Sequence, residues 1–317
     1  MRARDAAPRV SRVSLPAHVK IREVGPRDGF QNEPEQIATS DKIRLIDALT
    51  RTGLPRVEVA SFVRADVLPN LADGAEVLAG IDPPDGVSLA VLVPNERGLE
   101  AALANSGRFH EVIVFLSASE THNKKNINRP IADSLATCER MLPRIKEAGL
   151  RPLASIATSF GCPYEGHVPA DRVHGLAERL AAAGAEEVGF GDTTGMANPR
   201  QVREFFAAAQ ERLPDVELTA HFHNTRGQGL ANALAALDTG IESFESSFGE
   251  LGGCPVPPGS TGNIATEDLV SMFHEMGVQT GVDLPALIAA SRDVQQVLGR
   301  PLGSHVLVAG PVEWADA

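Results

Sequence analysis

The chain has 317 residues, 43% of them hydrophobic and 22% charged, with a formal net charge of −12 and only 4% aromatic residues. This is the balance of a soluble globular protein. The acidic excess and the scarcity of rings exclude the usual nucleic-acid surface of basic patches and stacking aromatics, and no apolar run approaches the ~20 residues of a membrane span.

Residues 1–18 are rich in Arg and Pro, carry Asp5 as their one acid and lack the apolar core of a secretory signal. They are expected to form a flexible tail, with a short organellar leader as the alternative, ahead of one domain, 19–317. From there a pattern recurs: a short run of Val, Ile, Leu and Phe, a polar or Gly-rich turn, then an Ala/Leu-rich amphipathic stretch. The runs predict strands at Lys20–Val24, Arg56–Phe62, Ser88–Val93, Glu111–Leu116, Pro152–Ala157, Glu187–Gly191, Glu217–His223 and Ser243–Ser247. Helix patterns lie between them. Ser40–Thr52 opens on Ser40 or Asp41 as a cap, and Ala170–Gly184, Gln228–Gly240 and Thr266–Gly277 each end in a glycine suited to a left-handed stop. Strands alternating with helices imply parallel pairing. Eight such units fit the ~250 residues typical of a (β/α)8 TIM barrel. A doubly wound open sheet is the alternative, since strand count does not show closure. From about residue 278 the chain reads as a C-terminal helical extension packed on the barrel.

Active-site loops of a barrel gather at the C-terminal strand ends, and the unusual residues fall there. The first strand runs into Gly25-Pro26-Arg27-Asp28-Gly29, and the second carries Glu58 between Val57 and Val59. The sixth ends in Gly191-Asp192-Thr193-Thr194-Gly195. The seventh ends in His221 and His223, whose i, i+2 spacing turns both rings to one face. After the eighth comes a Gly/Pro-rich loop holding Cys254, then Asn263 just ahead of the last barrel helix. Each has a bland reading. One histidine is more often a satisfied core residue than a ligand, Arg27 and Glu58 can be a simple ion pair, and the loop can be a connector. Ionisable groups collected at one barrel end are costly unless paired or metal-bound, so a metal becomes the better reading. The set would be one carboxylate, two imidazoles and an amide oxygen. Oxygen-rich mixed sites suit Mg²⁺ or Mn²⁺; the imidazoles keep Zn²⁺, Co²⁺ and Fe²⁺ open. An iron oxygenase triad fits less well, because the added Asn and adjacent Arg suit polarising an oxygen. Lys124 and Lys125 suit either a solvated face or an anion. Cys138 and Cys162 read as packing residues. Three widely spaced cysteines form neither a disulfide framework nor a Cys-rich zinc motif, which fits a reducing, cytoplasmic compartment.

Arg27-Asp28-Gly29-x-Gln31-Asn32-Glu33, Gly191-Asp192-Thr193 and His221-x-His223 resemble the metal-dependent acyl lyase and synthase superfamily. Within it, Ser119-Glu120 with Lys124-Lys125-Asn126-Ile127-Asn128 is similar to the hydroxymethylglutaryl-CoA lyases. So are Gly161-Cys162-Pro163-Tyr164-Glu165-Gly166, Gly252-Gly253-Cys254-Pro255 and Gly262-Asn263-x-Ala265-Thr266-Glu267-Asp268-Leu269. The likeness covers about Val19 to Gly310, and the last motif is the most specific.

The resemblance implies that Asp28, His221, His223 and Asn263 hold Mg²⁺ or Mn²⁺, which lowers the pKa of the substrate's C3 hydroxyl. C2–C3 cleavage of 3-hydroxy-3-methylglutaryl-CoA would then yield acetoacetate and the enolate of acetyl-CoA. Arg27 would stabilise that enolate and Glu58 would orient Arg27. Cys254 would carry the proton, Asp192 would tune proton transfer or the ligands, and Lys124 or Lys125 would meet the CoA phosphates. A homodimer and a role in leucine breakdown are implied likewise, with an acyl-CoA and neither nucleic acid nor membrane as partner. Three segments depart from the family pattern: Arg64-Ala65-Asp66, Asn224-Thr225-Arg226 and Phe248-Gly249-Glu250. All are expected near the mouth, where the acyl group and CoA are sorted. They leave open a bulkier 3-hydroxy-3-alkylglutaryl substrate. A Claisen-type synthase and a CoA-binding barrel without turnover are the remaining alternatives.

Overall fold

The computed structural model describes residues 15–34, 36–253 and 262–314. Its strands are β1 (Lys20–Glu23), β2 (Arg56–Ser61), β3 (Ser88–Val93), β4 (Glu111–Ser117), β5 (Arg151–Ala157), β6 (Glu187–Asp192), β7 (Glu217–Phe222) and β8 (Ser243–Ser246). Each pairs in parallel with the next and β8 closes on β1. The sheet is a closed barrel, not an open one. All eight strands lie where the apolar runs predict them, Ser88–Val93 without change and the other seven with one end shifted by a residue.

The helices show one correction. The first runs Thr39–Thr50 from Ala38, and no side chain caps it. Ser40 is already helical, and the preceding Thr39 spends its hydroxyl on Asp73, 2.8 Å away. Asp41 stays in the first turn, where a negative charge suits the helix dipole. The glycine stops hold: Gly184, Gly240 and Gly277 all have positive φ. Beyond the barrel, helices Leu284–Leu298 and His305–Ala309 form the expected C-terminal extension. Of the expected N-terminal tail, residues 1–14 lie outside the described residues, while Ala17 already accepts the Gln279 backbone N–H at 2.9 Å. Among the described residues no helix is long and apolar enough to cross a membrane.

The main apolar core lies between barrel and helices. The barrel interior is divided. On the β3–β5 side, Ala90, Leu92, Ile113 and Leu153 form a separate apolar cluster with Val63 and Phe115 packed against it. Below this cluster, toward the N-terminal strand ends, charges from all around the barrel fill the floor. Arg22 meets Glu187 at 2.8 Å, Glu111 at 3.2 Å and Glu245 at 2.6 Å. Arg56 bonds Glu111 at 2.9 Å and also Glu187, and Arg151 bonds Glu217 at 2.6 Å. Buried charges survive only when paired in this way.

Candidate active site

The first site residues sit on a wide turn after β1, Gly25–Gly29, closed by the Phe30 N–H on the Gly25 carbonyl. Such i→i+5 turns recur at functional sites because they re-aim side chains. Here the turn delivers Arg27 and Asp28 together. Arg27 Nε and Nη2 donate to the two Glu58 oxygens at 2.7 and 2.9 Å, and Nη1 donates to Asp28 Oδ1 at 2.7 Å. Glu58 stands beside a register shift between β2 and β3, the kind of bulge that redirects a side chain near an active site. The Arg27–Glu58 pair expected from the sequence is present.

Asp28 Oδ1 also accepts from Gln31 at 2.8 Å, and Oδ2 accepts from Asn263 Nδ2 at 2.7 Å. Burial alone would raise the Asp28 pKa. The Arg27 charge, then those of His221 and His223, and the Asn263 hydrogen bond outweigh it and hold the carboxyl below its usual range. His221 and His223 do face one way, with Nε2 atoms 3.1 Å apart. Ligand atoms of Asp28, His221 and His223 all lie within 4.8 Å of one another. Asn263 is fully buried and pairs across to His223 through a backbone bridge. Its amide donates to Asp28 and Leu251, yet its Oδ1 finds no hydrogen-bond partner among the described residues. An orphaned buried acceptor costs about 1–3 kcal/mol. A cation between the two imidazoles, the carboxylate and this oxygen would relieve it, so the residues fit a divalent metal.

The backbone is shaped to allow this convergence. Gly252 has φ +89°, and a Cβ there would stand 2.7 Å from Asn263 Nδ2 and 2.9 Å from Asp28 Oδ2. Asn32 holds the same segment by donating to the Gly253 carbonyl at 2.6 Å, and Glu33 receives Arg300 of the C-terminal extension at 2.7 Å. Gln31, Asn32 and Glu33 thus fasten a ligand, a loop root and the extension in turn.

These groups open on a cleft of about 690 Å³, with Arg27, Asp28, His221 and His223 on one flank and Leu92 and Phe115 opposite. Asp192 is not among the lining residues. It accepts the Met196 and Ala197 amides at 2.8 and 3.1 Å, and burial pushes its carboxyl up to about 7. Lys124 and Lys125 lie outside the lining too. Lys124 pairs with Glu120 at 3.1 Å, and Lys125 sits 4.9 Å from the Tyr164 ring centroid. The neighbouring Asn126, Asn128 and Arg129 line the cleft instead. Cys254 lies outside the described residues, although the adjoining Gly252 and Gly253 line the cleft.

His122 and Glu245 are lining residues that escaped the sequence reading. His122 hydrogen-bonds Ser117 at 3.1 Å, and burial depresses its pKa. Glu245 accepts from His221 Nδ1 at 2.9 Å and from Arg22 at 2.6 Å. Burial would raise Glu245, but the His221 hydrogen bond and the Arg22 charge hold it down to about 2. His221 responds in the opposite sense: Glu245 raises its pKa against the effect of burial.

Of the three departures from the family pattern, only Arg64 lines the cleft, and it pairs with Asp66 at 3.2 Å. Asn224 donates to Glu250 at 2.9 Å, and Arg226 clamps the Thr194 and Gly195 carbonyls at 2.8 Å. Those two segments tie loops together rather than facing the cleft.

A family model described as HMGL-like matches residues 18–294. The hydroxymethylglutaryl-CoA lyase YngG of Bacillus subtilis is 48% identical over 92% of this chain and 97% of its own length. The (R)-citramalyl-CoA lyase of Chloroflexus aurantiacus is 44% identical over 93% and 95%. The solved structure of an HMG-CoA lyase from "Acenitobacter baumannii", in complex with coenzyme A and 3-methylmalate, superposes with a TM-score of 0.88 at 40% identity, covering 93% of this chain and 96% of that one. With both the matched length and the identity this high, the chain belongs to the HMGL-like family.

Proposed function

We propose that the protein is a divalent-metal-dependent carbon–carbon lyase that splits 3-hydroxy-3-methylglutaryl-CoA into acetoacetate and acetyl-CoA. The observation that carries this is the juxtaposition of Asp28, His221, His223 and the orphaned Asn263 oxygen with the Glu58-held guanidinium of Arg27. The relative whose structure holds coenzyme A and 3-methylmalate, a small hydroxy-diacid, supports an acyl-CoA of this kind. The donor set suits Mg²⁺ or Mn²⁺. When bound, the cation supplies Lewis-acid polarisation of the substrate's C3 oxygen.

The chain's own groups do the rest. Loss of the C3 hydroxyl proton lets C3 become a ketone as the C2–C3 bond breaks, and the bond's electron pair passes to the thioester fragment as an enolate. Arg27 stabilises that charge where it develops. Glu58 and Asp28 hold the guanidinium still, so no reorganisation is needed. Cys254 would carry the proton, taking it up from the C3 hydroxyl as the thiolate and returning it to C2 of the enolate, so that acetyl-CoA forms with no net proton gained or lost. Asp192, beside His221 but turned to its own loop, would tune the ligands, and Lys124 or Lys125 would meet the CoA phosphates. We assign the chain to the cytoplasm as a homodimer of single-barrel protomers, residues 19–317, with a C-terminal extension.

A second reading keeps the reaction and enlarges the group on C3. The apolar wall of Leu92, Phe115 and Val63 opposite the polar cluster favours it. The test is an end-point assay with Mg²⁺ or Mn²⁺ on hydroxymethylglutaryl-CoA, citramalyl-CoA and a 3-hydroxy-3-alkylglutaryl-CoA, beside EDTA and Arg27→Gln controls. Acetoacetate from the first, abolished by EDTA and cut by orders of magnitude in the variant, supports the main reading. Pyruvate from citramalyl-CoA alone, or turnover of the larger analogue alone, replaces its substrate. No turnover of any by metal-loaded protein rejects the reaction.

A further inference from the structure

We propose that Glu245 is a positioning residue for the metal centre: it fixes the His221 proton on Nδ1 and thereby turns the Nε2 lone pair to the cation, while Arg22 holds Glu245 in place. The three residues form one row. Strand register sets His221 beside Glu245 across β7 and β8, and Arg22 beside Glu245 across β8 and β1. Adjacent in-register side chains on one face of a sheet reach each other directly, and here both contacts are made. His221 Nδ1 lies 2.9 Å from Glu245 Oε2, and Arg22 Nη1 lies 2.6 Å from Oε1. Glu245 is 8% exposed and Arg22 2%, so neither can turn to solvent. Arg22 is itself fastened by Glu187 and Glu111 on the barrel floor.

A neutral imidazole has one N–H and one lone pair, and the hydrogen bond made by one nitrogen decides which is which. A carboxylate only accepts, so His221 must put its proton on Nδ1. Its lone pair then lies on Nε2, 3.1 Å from the matching nitrogen of His223 and within the Asp28 cluster. Without Glu245 the opposite tautomer would compete, and its N–H would point at the cation. The carboxylate thus selects the ligating form before any metal arrives. The bland alternative is that Glu245 only balances Arg22. In that case its charge matters to the floor and not to the metal.

This inference rests on the metal-centre reading but not on the identity of the substrate. The experiment is a Mn²⁺ titration, followed by electron paramagnetic resonance, of EDTA-stripped wild type, Glu245→Gln and Glu187→Gln. Glu187→Gln removes a charge from the same network without touching His221. The expected result is a Kd ten- to a hundredfold weaker in Glu245→Gln, unchanged in Glu187→Gln, with kcat recovered within a few-fold at saturating Mn²⁺. A folded Glu245→Gln that binds as wild type overturns the proposal, as does an equal loss in both variants. Should Glu245→Gln not fold, ¹⁵N–¹H correlation of the His221 ring in stripped wild type at alkaline pH decides. A proton on Nδ1 supports the assignment and one on Nε2 overturns it. Wild type that binds Mn²⁺ but cleaves no acyl-CoA sinks the proposed reaction alone. Wild type that binds no Mn²⁺ removes the metal centre and this inference together.

Discussion

Replacing Glu58 by Gln separates the positioning of Arg27 from its presence. Both Glu58 oxygens accept from Arg27, at 2.7 and 2.9 Å, and the Glu58 side chain is 1% exposed. Glutamine keeps the shape but offers one acceptor and turns an NH₂ group toward the guanidinium. One charge-assisted bond is lost, worth about 1.5–3 kcal/mol. The second becomes a neutral-acceptor bond, worth about 0.5–1.5 kcal/mol. Asp28, 2.7 Å from Nη1, remains to balance the cation, so the loss should stay below the roughly 3–5 kcal/mol of a fully broken buried pair. The expectation is a destabilisation of about 2.5–4 kcal/mol, read as a lower urea midpoint at unchanged slope. The guanidinium should drift toward Asp28, and a displacement of ~1 Å costs on the order of a hundredfold in rate. kcat should therefore fall about a hundredfold with little change in KM. A midpoint shift worth under ~0.5 kcal/mol with an unaltered kcat would refute the view that Glu58 holds Arg27 for catalysis.

Gly252→Ala adds a methyl at φ +89°, 2.7 Å from Asn263 and 2.9 Å from Asp28. Titration calorimetry should find divalent-ion affinity reduced at least tenfold, and wild-type affinity would contradict the packing argument. Arg56→Met leaves Glu111 and Glu187 short of a partner on the barrel floor. Chemical denaturation should show a loss of about 3–5 kcal/mol, and a neutral or stabilised variant would mean that the network is dispensable. Burial raises Glu23 to about 8 and Glu187, Asp192 and Glu267 to about 7. These folded-state values exceed the ~4 of an unfolded carboxylate, so the native chain holds more protons and stability is lost as pH rises through them. His122, His174 and His274, whose pKa values partial or full burial lowers, act in the opposite sense, but their contribution is complete by about pH 6.5. Calorimetric Tm should thus decline from about pH 7 to pH 8.5, and a rise across that interval would contradict the assignment.

How much of this was legible depends on which physical signal the sequence carries. Val, Ile, Leu and Phe runs mark all eight strands because a parallel barrel buries both faces of each strand. The same burial hides which face looks inward. Arg22, Glu111, Glu187 and Glu217 stand at or near strand starts, where a charge reads as a solvated end, and only closure turns them into the floor. Glu245 was missed for that reason: in Ser243-Phe244-Glu245-Ser246 nothing local shows that it meets His221 from β7 and Arg22 from β1. The ligand cluster was legible because a carboxylate, an i, i+2 histidine pair and an asparagine all fall at C-terminal strand ends. Lys124 and Lys125 were favoured for their charge, but they sit on helix Glu120–Ile127. There each residue turns by about 100° from the last, so Asn126 reaches the cleft while the lysines face Glu120 and Tyr164; Asn128, left-handed at the helix end, and Arg129 just beyond it line the cleft too.

The most direct measurement is anomalous diffraction from crystals grown with Mn²⁺, collected on both sides of the manganese edge. The account predicts one strong peak bounded by Asp28 and the Nε2 atoms of His221 and His223, with Asn263 Oδ1 turned to it and Glu245 still on His221 Nδ1. A peak elsewhere, or none at this cluster under saturating Mn²⁺, would contradict the central claim that these residues form a metal centre.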